Sequence, residues 1–386
     1  MVNLNEFKNN KKPLWTKLDI LCLGIKRDEE GLLDKLYAMQ NPMDTKRTGN
    51  AGFQITLTEW NLPLNVATYR GFSEKSPYVM TEENHQLFVK DTRTGEQYPV
   101  ALTPVHTDDY NKKVGSNNIV GEYALVEGDA CCIASITNGC VFFDMKKPCK
   151  FCAIGRENMS TSKTAHAKLS AERKQNLIEA LKIIVSNSKT KQVNLTGGNT
   201  LLADRGASQY YDFITAIREV NKKIPIAIEL CPPEKDVSKQ VMKKLKELGA
   251  TTIICNIEFW NDEIREDLMP IKGKIPKEDY FIAYKEAIRL FGKNNVVCGI
   301  IVGVEPLEET YKAVDEIAKL GVIPEVYPFK PNKGSQMENY PITQTDVVAK
   351  ASLYASQAMK RHNLNPNETK ASCMTCGACG ITRQLN

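Results

Sequence analysis

The sequence predicts an α/β chain whose parallel sheet curls into a partial (β/α)6 barrel. Three observations carry that prediction. From about residue 170 onward, amphipathic helical segments alternate regularly with short extended ones. The extended segments are almost continuously apolar, as strands covered by other layers are. Each intervening segment is long enough for the right-handed crossover helix that successive parallel strands need. In such a fold the βα loops, and with them any active site, gather at the C-terminal ends of the strands.

The first 130 residues differ and are expected to form a β-rich or α+β accessory module, residues 1–130. There "FQITLT" (53–58) alternates as a half-buried strand, and "HQLFVKDTRTGEQYPVAL" (85–102) reads as two strands around a turn near Thr94 and Gly95. The barrel is expected over 131–345, with its first strand at or just before a run of cysteines. A helix follows at 170–187, with Leu177, Leu181 and Ile184 on one face, and then a strand at 191–196 that ends in glycines. Further helices are expected at 207–220, 237–249, 277–292 and 307–321. Strands between and after them are expected at 224–230, 251–259, 295–304 and 323–329, which makes six βα units. A last helix from Thr345 to His362 leads into a C-terminal cysteine-rich tail, "NPNETKASCMTCGACG", within 346–386.

At 386 residues the chain can bury a full core without disulfide support. Acidic and basic residues nearly balance, 46 against 51, and no long run of one sign occurs, so a nucleic-acid surface is not expected. The segment "MVNLNEFKNNKKPLWTKLDI" lacks the continuous apolar core of a signal peptide, and no stretch reaches the length of a membrane span. A cytoplasmic protein without a membrane partner is expected.

In a reducing compartment the 12 cysteines are not a disulfide framework, so clustered ones read as metal or redox ligands. Cys131, Cys132, Cys140, Cys149 and Cys152 fall close together, and Cys373, Cys376 and Cys379 form a second group. Cys22, Cys231, Cys255 and Cys298 stand alone in apolar surroundings and read as buried small hydrophobes. Cys131 and Cys132 are adjacent, face opposite ways on a strand and are expected to be structural. An iron–sulfur cube held by only three thiolates leaves one iron open to an outside ligand, which suits Cys140, Cys149 and Cys152. A zinc site completed by Cys131 or Cys132 is the alternative.

With Phe151 immediately before its last cysteine, this triplet resembles the motif of the radical S-adenosylmethionine superfamily. That motif is usually C-x3-C-x2-C, with an aromatic or apolar residue before the third cysteine; here it is C-x8-C-x2-C, a longer first loop on an unchanged C-x-Φ-C end. Other segments fit the resemblance in order. "LTGGNT" places Gly197, Gly198 and Asn199 where the superfamily often has Gly-Gly-Glu holding the methionine amino group, with an amide in place of the carboxylate. "CNIEFW" carries Asn256 and Glu258 at alternate positions of the fourth strand, expected to meet the ribose or methionine end of a ligand. "GIIVGVEP" is close to a Gly-x-Ile-x-Gly pattern that leaves room for adenine beside Ile301. Glu229 ends the third strand and is a further candidate contact. Lys330 reads either as an offset for a carboxylate or as a solvated lysine.

The resemblance spans residues 131 to about 335 and is nearest to a bacterial group of the biotin-synthase-like branch. It implies a [4Fe–4S] cluster on Cys140, Cys149 and Cys152, S-adenosylmethionine on the open iron, and a flavodoxin- or ferredoxin-type electron donor. It also implies reductive cleavage to a 5′-deoxyadenosyl radical that takes hydrogen from a substrate, expected to be a small molecule. The tail cysteines Cys373, Cys376 and Cys379 read as a possible auxiliary iron–sulfur cluster, as a zinc knuckle completed by His362 or Cys131, or as mobile thiols. With an auxiliary cluster the reaction class is sulfur insertion, a transferase chemistry, or oxidation, an oxidoreductase chemistry. Peptide or protein modification is the alternative, and a non-catalytic iron–sulfur carrier or zinc-stabilised binding module is the reading from another class. The resemblance carries no substrate.

Overall fold

A computed structural model describes residues 4–27, 31–40, 52–68, 70–103, 107–137, 139–154 and 170–386 of the chain. Its centre is a seven-stranded half-barrel sheet. The strands are β8 (Ala124–Glu127), β9 (Cys131–Ser135), β10 (Gln192–Thr196), β11 (Ile226–Glu229), β12 (Thr252–Ile254), β13 (Val296–Val302) and β14 (Ile323–Pro328), and seven shorter or antiparallel strands precede them in the chain. They lie in sequence order, β9 to β14 all parallel, which are the six strands expected of a (β/α)6 partial barrel. β8 adds an antiparallel edge strand paired to β9 that the sequence pattern did not reveal.

The crossover helices lie where the 3.6-residue periodicity puts them: Ala171–Ser186, Tyr211–Val220, Lys235–Leu248, Lys277–Phe291 and Leu307–Lys319. Ser170 starts the first by accepting a hydrogen bond from Arg173 N, an N-cap that satisfies an orphan donor. Leu177, Leu181 and Ile184 are all buried on its inner face. Each such side chain stabilises the fold by roughly 1.5–3 kcal/mol through the apolar area it removes from water.

Before the half-barrel lie the helices Leu4–Asn10, Lys12–Leu23 and Leu32–Gln40, the single turns Arg70–Ser73 and Thr107–Tyr110, and an antiparallel sheet. The sheet contains β1 (Phe53–Leu57), β2 (Leu62–Val66), β3 (Tyr78–Glu83), β4 (Gln86–Asp91) and β5 (Gln97–Leu102), in the order β2-β1-β5-β4-β3. β4 and β5 are the two strands expected around Gly95, whose φ is +79°. A two-residue ladder of β6 (Lys113–Val114) and β7 (Asn118–Ile119) follows.

One buried carboxylate ties these parts together. Asp19, on the Lys12–Leu23 helix, accepts from Tyr78 Oη on β3 and Arg93 Nη2, both at 2.7 Å, and from Thr345 Oγ1 at the start of the Thr345–Arg361 helix.

The C-terminal tail folds back under the half-barrel. Ser372 N donates to Gln192 Oε1 of β10 (2.9 Å), Ala371 N to Thr252 Oγ1 of β12 (3.3 Å), and Asn65 N of β2 to Ala378 O (2.9 Å). A single helical turn, Cys373–Cys376, ends at Gly377 with φ +71°, the left-handed conformation that glycine adopts most readily. Among the described residues no helix is long and apolar enough to cross a membrane.

The fourth barrel strand departs from expectation. β12 stops at Ile254, so Asn256 and Glu258 are not alternate residues of a regular strand. Glu258 has φ +67° and rejoins β13 through a single bridge, its N donating to Gly299 O (3.1 Å) and its O accepting from Ile301 N (2.8 Å).

Candidate active site

Cys140 follows β9 by five residues and occupies the N-cap position of the short helix Val141–Asp144. Cys149 and Cys152 share a tight turn closed by Cys152 N to Cys149 O (3.0 Å). Asn138 and Gly155, at the ends of the cysteine-bearing stretch, lie outside the described residues. Between the two cysteines of the turn, Phe151 packs edge-on to Phe259, with ring centroids 5.8 Å apart, beside Ile301 and Phe329. Phe151 therefore anchors the cysteine turn, its carbonyl also accepting from Asn332 Nδ2 (3.1 Å).

The end of β10 touches this loop directly. Gly198 N donates to Thr137 Oγ1 (2.7 Å), and Asn199 N donates to Cys140 Sγ (3.3 Å). A Cβ on Gly198 would fall 1.9 Å from Gly139 O, so only glycine lets the two backbones meet here.

All the candidate residues except Cys376 face one cavity of about 460 Å³. Cys140, Cys149 and Cys152 line it, and so do Phe151, Gly197, Gly198, Asn199, Glu229, Asn256, Glu258 and Ile301. Cys373 and Cys379 line it too, whereas His362 does not. Cys376 instead packs against Cys131 and Ala378.

The polar groups of the cavity are largely paired with one another. Asn256 donates through Nδ2 to Glu229 Oε1 (2.7 Å) and accepts at Oδ1 from Gly299 N (2.8 Å). Glu258 Oε1 accepts from Lys272 Nζ (2.8 Å), a largely buried ion pair. Burial works against the Lys272 charge, but Glu258 and the nearby thiols hold the ammonium well above its usual range. Burial and the neighbouring Glu258 charge push the Glu229 carboxyl up. Glu325 on β14 is pushed up to about 8 by burial and by Glu229.

Lys272, Asn194 and Glu325 line this cavity and were not singled out from the sequence. Glu325 alternates with Tyr327 along β14, a period-2 signal that could have marked both as lumen residues. Lys330 is not a solvated lysine: it is 7 % exposed and donates from Nζ to Asn65 O (3.0 Å).

Residues 134–321 match the profile of the Radical SAM superfamily. The chain carries a radical SAM domain. No curated protein matches the chain. Among solved structures it is similar to the FeFe-hydrogenase maturase HydG from Carboxydothermus hydrogenoformans, at 19 % identity and TM-score 0.44, over 60 % of this chain and 52 % of that one. It is also similar to the radical S-adenosylmethionine methyltransferase TsrM from Kitasatospora setae, at 12 % identity and TM-score 0.37, over 81 % of this chain and 52 % of that one. The chain thus spans about half the length of these structures.

A radical SAM domain implies a [4Fe–4S] cluster, S-adenosylmethionine and an outside electron donor. The residues present fit the cluster. Cys140, Cys149 and Cys152 supply three soft donors from one loop, and a four-iron cube held by these alone would keep one iron open; Cys231, two residues past β11, lines the same cavity. A backbone N–H is already aimed at one sulfur, and glycine backbone forms the adjacent wall. Burial holds all three thiols above their usual range, Cys152 at about 12, so ligation would displace protons from them. Among the described residues no three Cys, His, Asp or Glu side chains are gathered closely enough for a single metal ion. A tetrahedral zinc would need its sulfurs about 4 Å apart, whereas a cluster interposes its own iron and sulfide and takes thiolates at wider spacing.

Proposed function

We propose that the enzyme holds its [4Fe–4S] cluster on Cys140, Cys149 and Cys152 and cleaves S-adenosylmethionine to act on a small molecule. Such a cluster, when bound, supplies the electron that splits S-adenosylmethionine into methionine and a 5′-deoxyadenosyl radical, which takes a hydrogen atom from the substrate. The observation that carries this reading is that the three cysteines and the Gly197-Gly198-Asn199 turn share one cavity, joined by the Asn199 N to Cys140 Sγ contact.

The chain's own residues orient and shield. Asn199 and the glycine backbone face the methionine end; Asn256 and Glu258, held by Glu229 and Lys272, offer fixed acceptors to a ribose or ammonium; Ile301 leaves an apolar face for adenine. Phe151, packed on Phe259, keeps the cysteine turn in place and excludes water. A cavity of about 460 Å³ suits a small substrate better than a folded protein. Cys373, Cys376 and Cys379 hold an auxiliary iron–sulfur cluster beneath it, with sulfur insertion or substrate oxidation as the reaction class. The N-terminal module, whose Asn65 lines the cavity, helps enclose the substrate. A flavodoxin- or ferredoxin-type protein of the cytoplasm supplies the electron.

The test is anaerobic reconstitution with iron and sulfide, followed by reduction in the presence of S-adenosylmethionine. The expected result is reducible iron–sulfur and 5′-deoxyadenosine; Cys152→Ala should lose the 5′-deoxyadenosine and the iron of the cavity cluster while keeping that of the tail. A protein that keeps only zinc and yields no 5′-deoxyadenosine would overturn the proposal in favour of a binding module.

A further inference from the structure

The tail cysteines meet a partner that adjacency in sequence hides. Cys131 opens β9 and is fully buried. Alternation along the strand sends it to the barrel interior with Ile133 and Ser135, which line the cavity, while Cys132 joins the main core. There Cys131 packs against Cys376 and Ala378 in a small cluster of its own. The approach is close: Gly128, just before β9, has φ +48°, and a Cβ on it would fall 2.2 Å from Cys376 Sγ. Asp129 N donates to Cys376 O (3.1 Å), which fixes the tail turn against the start of β9. Cys373 is held from the other side by Asn194 Nδ2 (3.7 Å to Sγ), and Cys379 lines the cavity floor beside it.

Two buried lysines surround the same group. Lys17 is 0 % exposed and donates from Nζ to Gly377 O, within the tail turn. Lys330 is 7 % exposed, and its Nζ donates to Asn65 O. Glu127, buried close to Lys330, offsets part of this charge, but a carbonyl is a weak partner for a buried ammonium, and a further negative group between the two lysines would lower the cost of burying both. Four thiolates around an iron–sulfur core carry net negative charge and would supply it.

We propose that Cys131 is the fourth thiolate of an iron–sulfur cluster whose other ligands are Cys373, Cys376 and Cys379, with Lys17 and Lys330 as its buried counter-charges. This rests on the reading of the tail cysteines as cluster ligands and completes it. A cluster with four protein thiolates has no open iron, so it differs in kind from the one at Cys140, Cys149 and Cys152. It can exchange electrons across the cavity without binding the substrate.

The test starts from a Cys140→Ala, Cys149→Ala, Cys152→Ala background, reconstituted anaerobically and assayed for iron, sulfide and zinc, with electron paramagnetic resonance after reduction. That background should retain one cluster, with about two to four irons per chain. Adding Cys131→Ala should remove the cluster or lower its iron and change its spectrum. Cys131→Ser, nearly isosteric and offering a harder oxygen ligand, should fold and shift the spectrum, and Cys132→Ala should change neither iron nor spectrum. Thermal melting of each variant separates a lost ligand from a lost fold. Lys17→Met and Lys330→Met should keep the iron and lower the reduction potential. Full iron and an unchanged spectrum in both Cys131 variants would overturn the role of Cys131 while leaving the tail cluster standing. No iron in the starting background, or stoichiometric zinc instead, would overturn the tail cluster itself.

Discussion

Replacing Gly198 by alanine puts a methyl group 1.9 Å from Gly139 O and 2.5 Å from the Cα of Cys140, both backbone atoms that cannot rotate away. Real contacts of this kind do not fall under 3.0 Å, so the end of β10 and the Cys140 loop must separate by about 1.1 Å. That movement stretches the Gly198 N to Thr137 Oγ1 bond (2.7 Å) and the Asn199 N to Cys140 Sγ contact (3.3 Å). A displacement of about 1 Å in a reacting geometry costs on the order of 100-fold in rate, or about 2.7 kcal/mol of barrier. Gly197 is the matched control. Its Cβ would meet side-chain atoms of Ile136 and Thr137 at 3.0 and 3.1 Å, which can yield by a few tenths of an ångström. The assay is the initial rate of 5′-deoxyadenosine formation per reconstituted cluster. Gly198→Ala should fall by about 100-fold while Gly197→Ala stays within several-fold of the parent. Equal rates for Gly198→Ala and the parent, at equal iron content, would refute the close-approach reasoning.

Other outcomes follow from the buried charges. Lys272→Met leaves Glu258 buried and unpaired and should cost about 3 kcal/mol, with partial recovery in the Lys272→Met, Glu258→Gln double variant; unchanged melting in the single variant would show that the pair contributes nothing. Glu305 accepts from Trp260 N (2.8 Å) and Asn261 N (3.1 Å), yet burial pushes its carboxyl up to about 7. The folded state therefore prefers it protonated: its contribution to stability is full below the ordinary value of 4.5 and is lost as pH rises towards 7. Glu305→Gln should flatten the unfolding free energy against pH across that window by up to about 3 kcal/mol, and an unaltered slope would refute the assignment. Asp19→Asn weakens a carboxylate with three donors and should destabilise the chain by about 2 kcal/mol, measured by denaturant titration.

The six parallel strands were legible because a strand covered by helices reads as an apolar run, as "VVCGIIV" of β13 does. β8 was not, since four residues paired antiparallel at an edge carry too little pattern to separate from the loop around them. Asn256 and Glu258 reached the cavity by a route the alternation did not describe: the strand ends early, and the backbone turns through positive φ at Glu258 before rejoining β13. Lys272 and Lys17 find their partners through tertiary packing, Lys17 across a separation of 360 residues, and no local periodicity encodes that. Alternation did place Cys131 and Cys132 on opposite faces; that the tail comes back to meet Cys131 is a long-range fact.

The bonds at Asp19 and along residues 371–378 also bear on how the chain comes apart. Asp19 joins the first helices to β3 and to the Thr345–Arg361 helix, while the tail is hydrogen-bonded to β2, β10 and β12. Neither sheet can open without breaking bonds that the other holds. The two sheets should therefore behave as one cooperative unit, with a single melting transition and similar amide-exchange protection in β2 and β10.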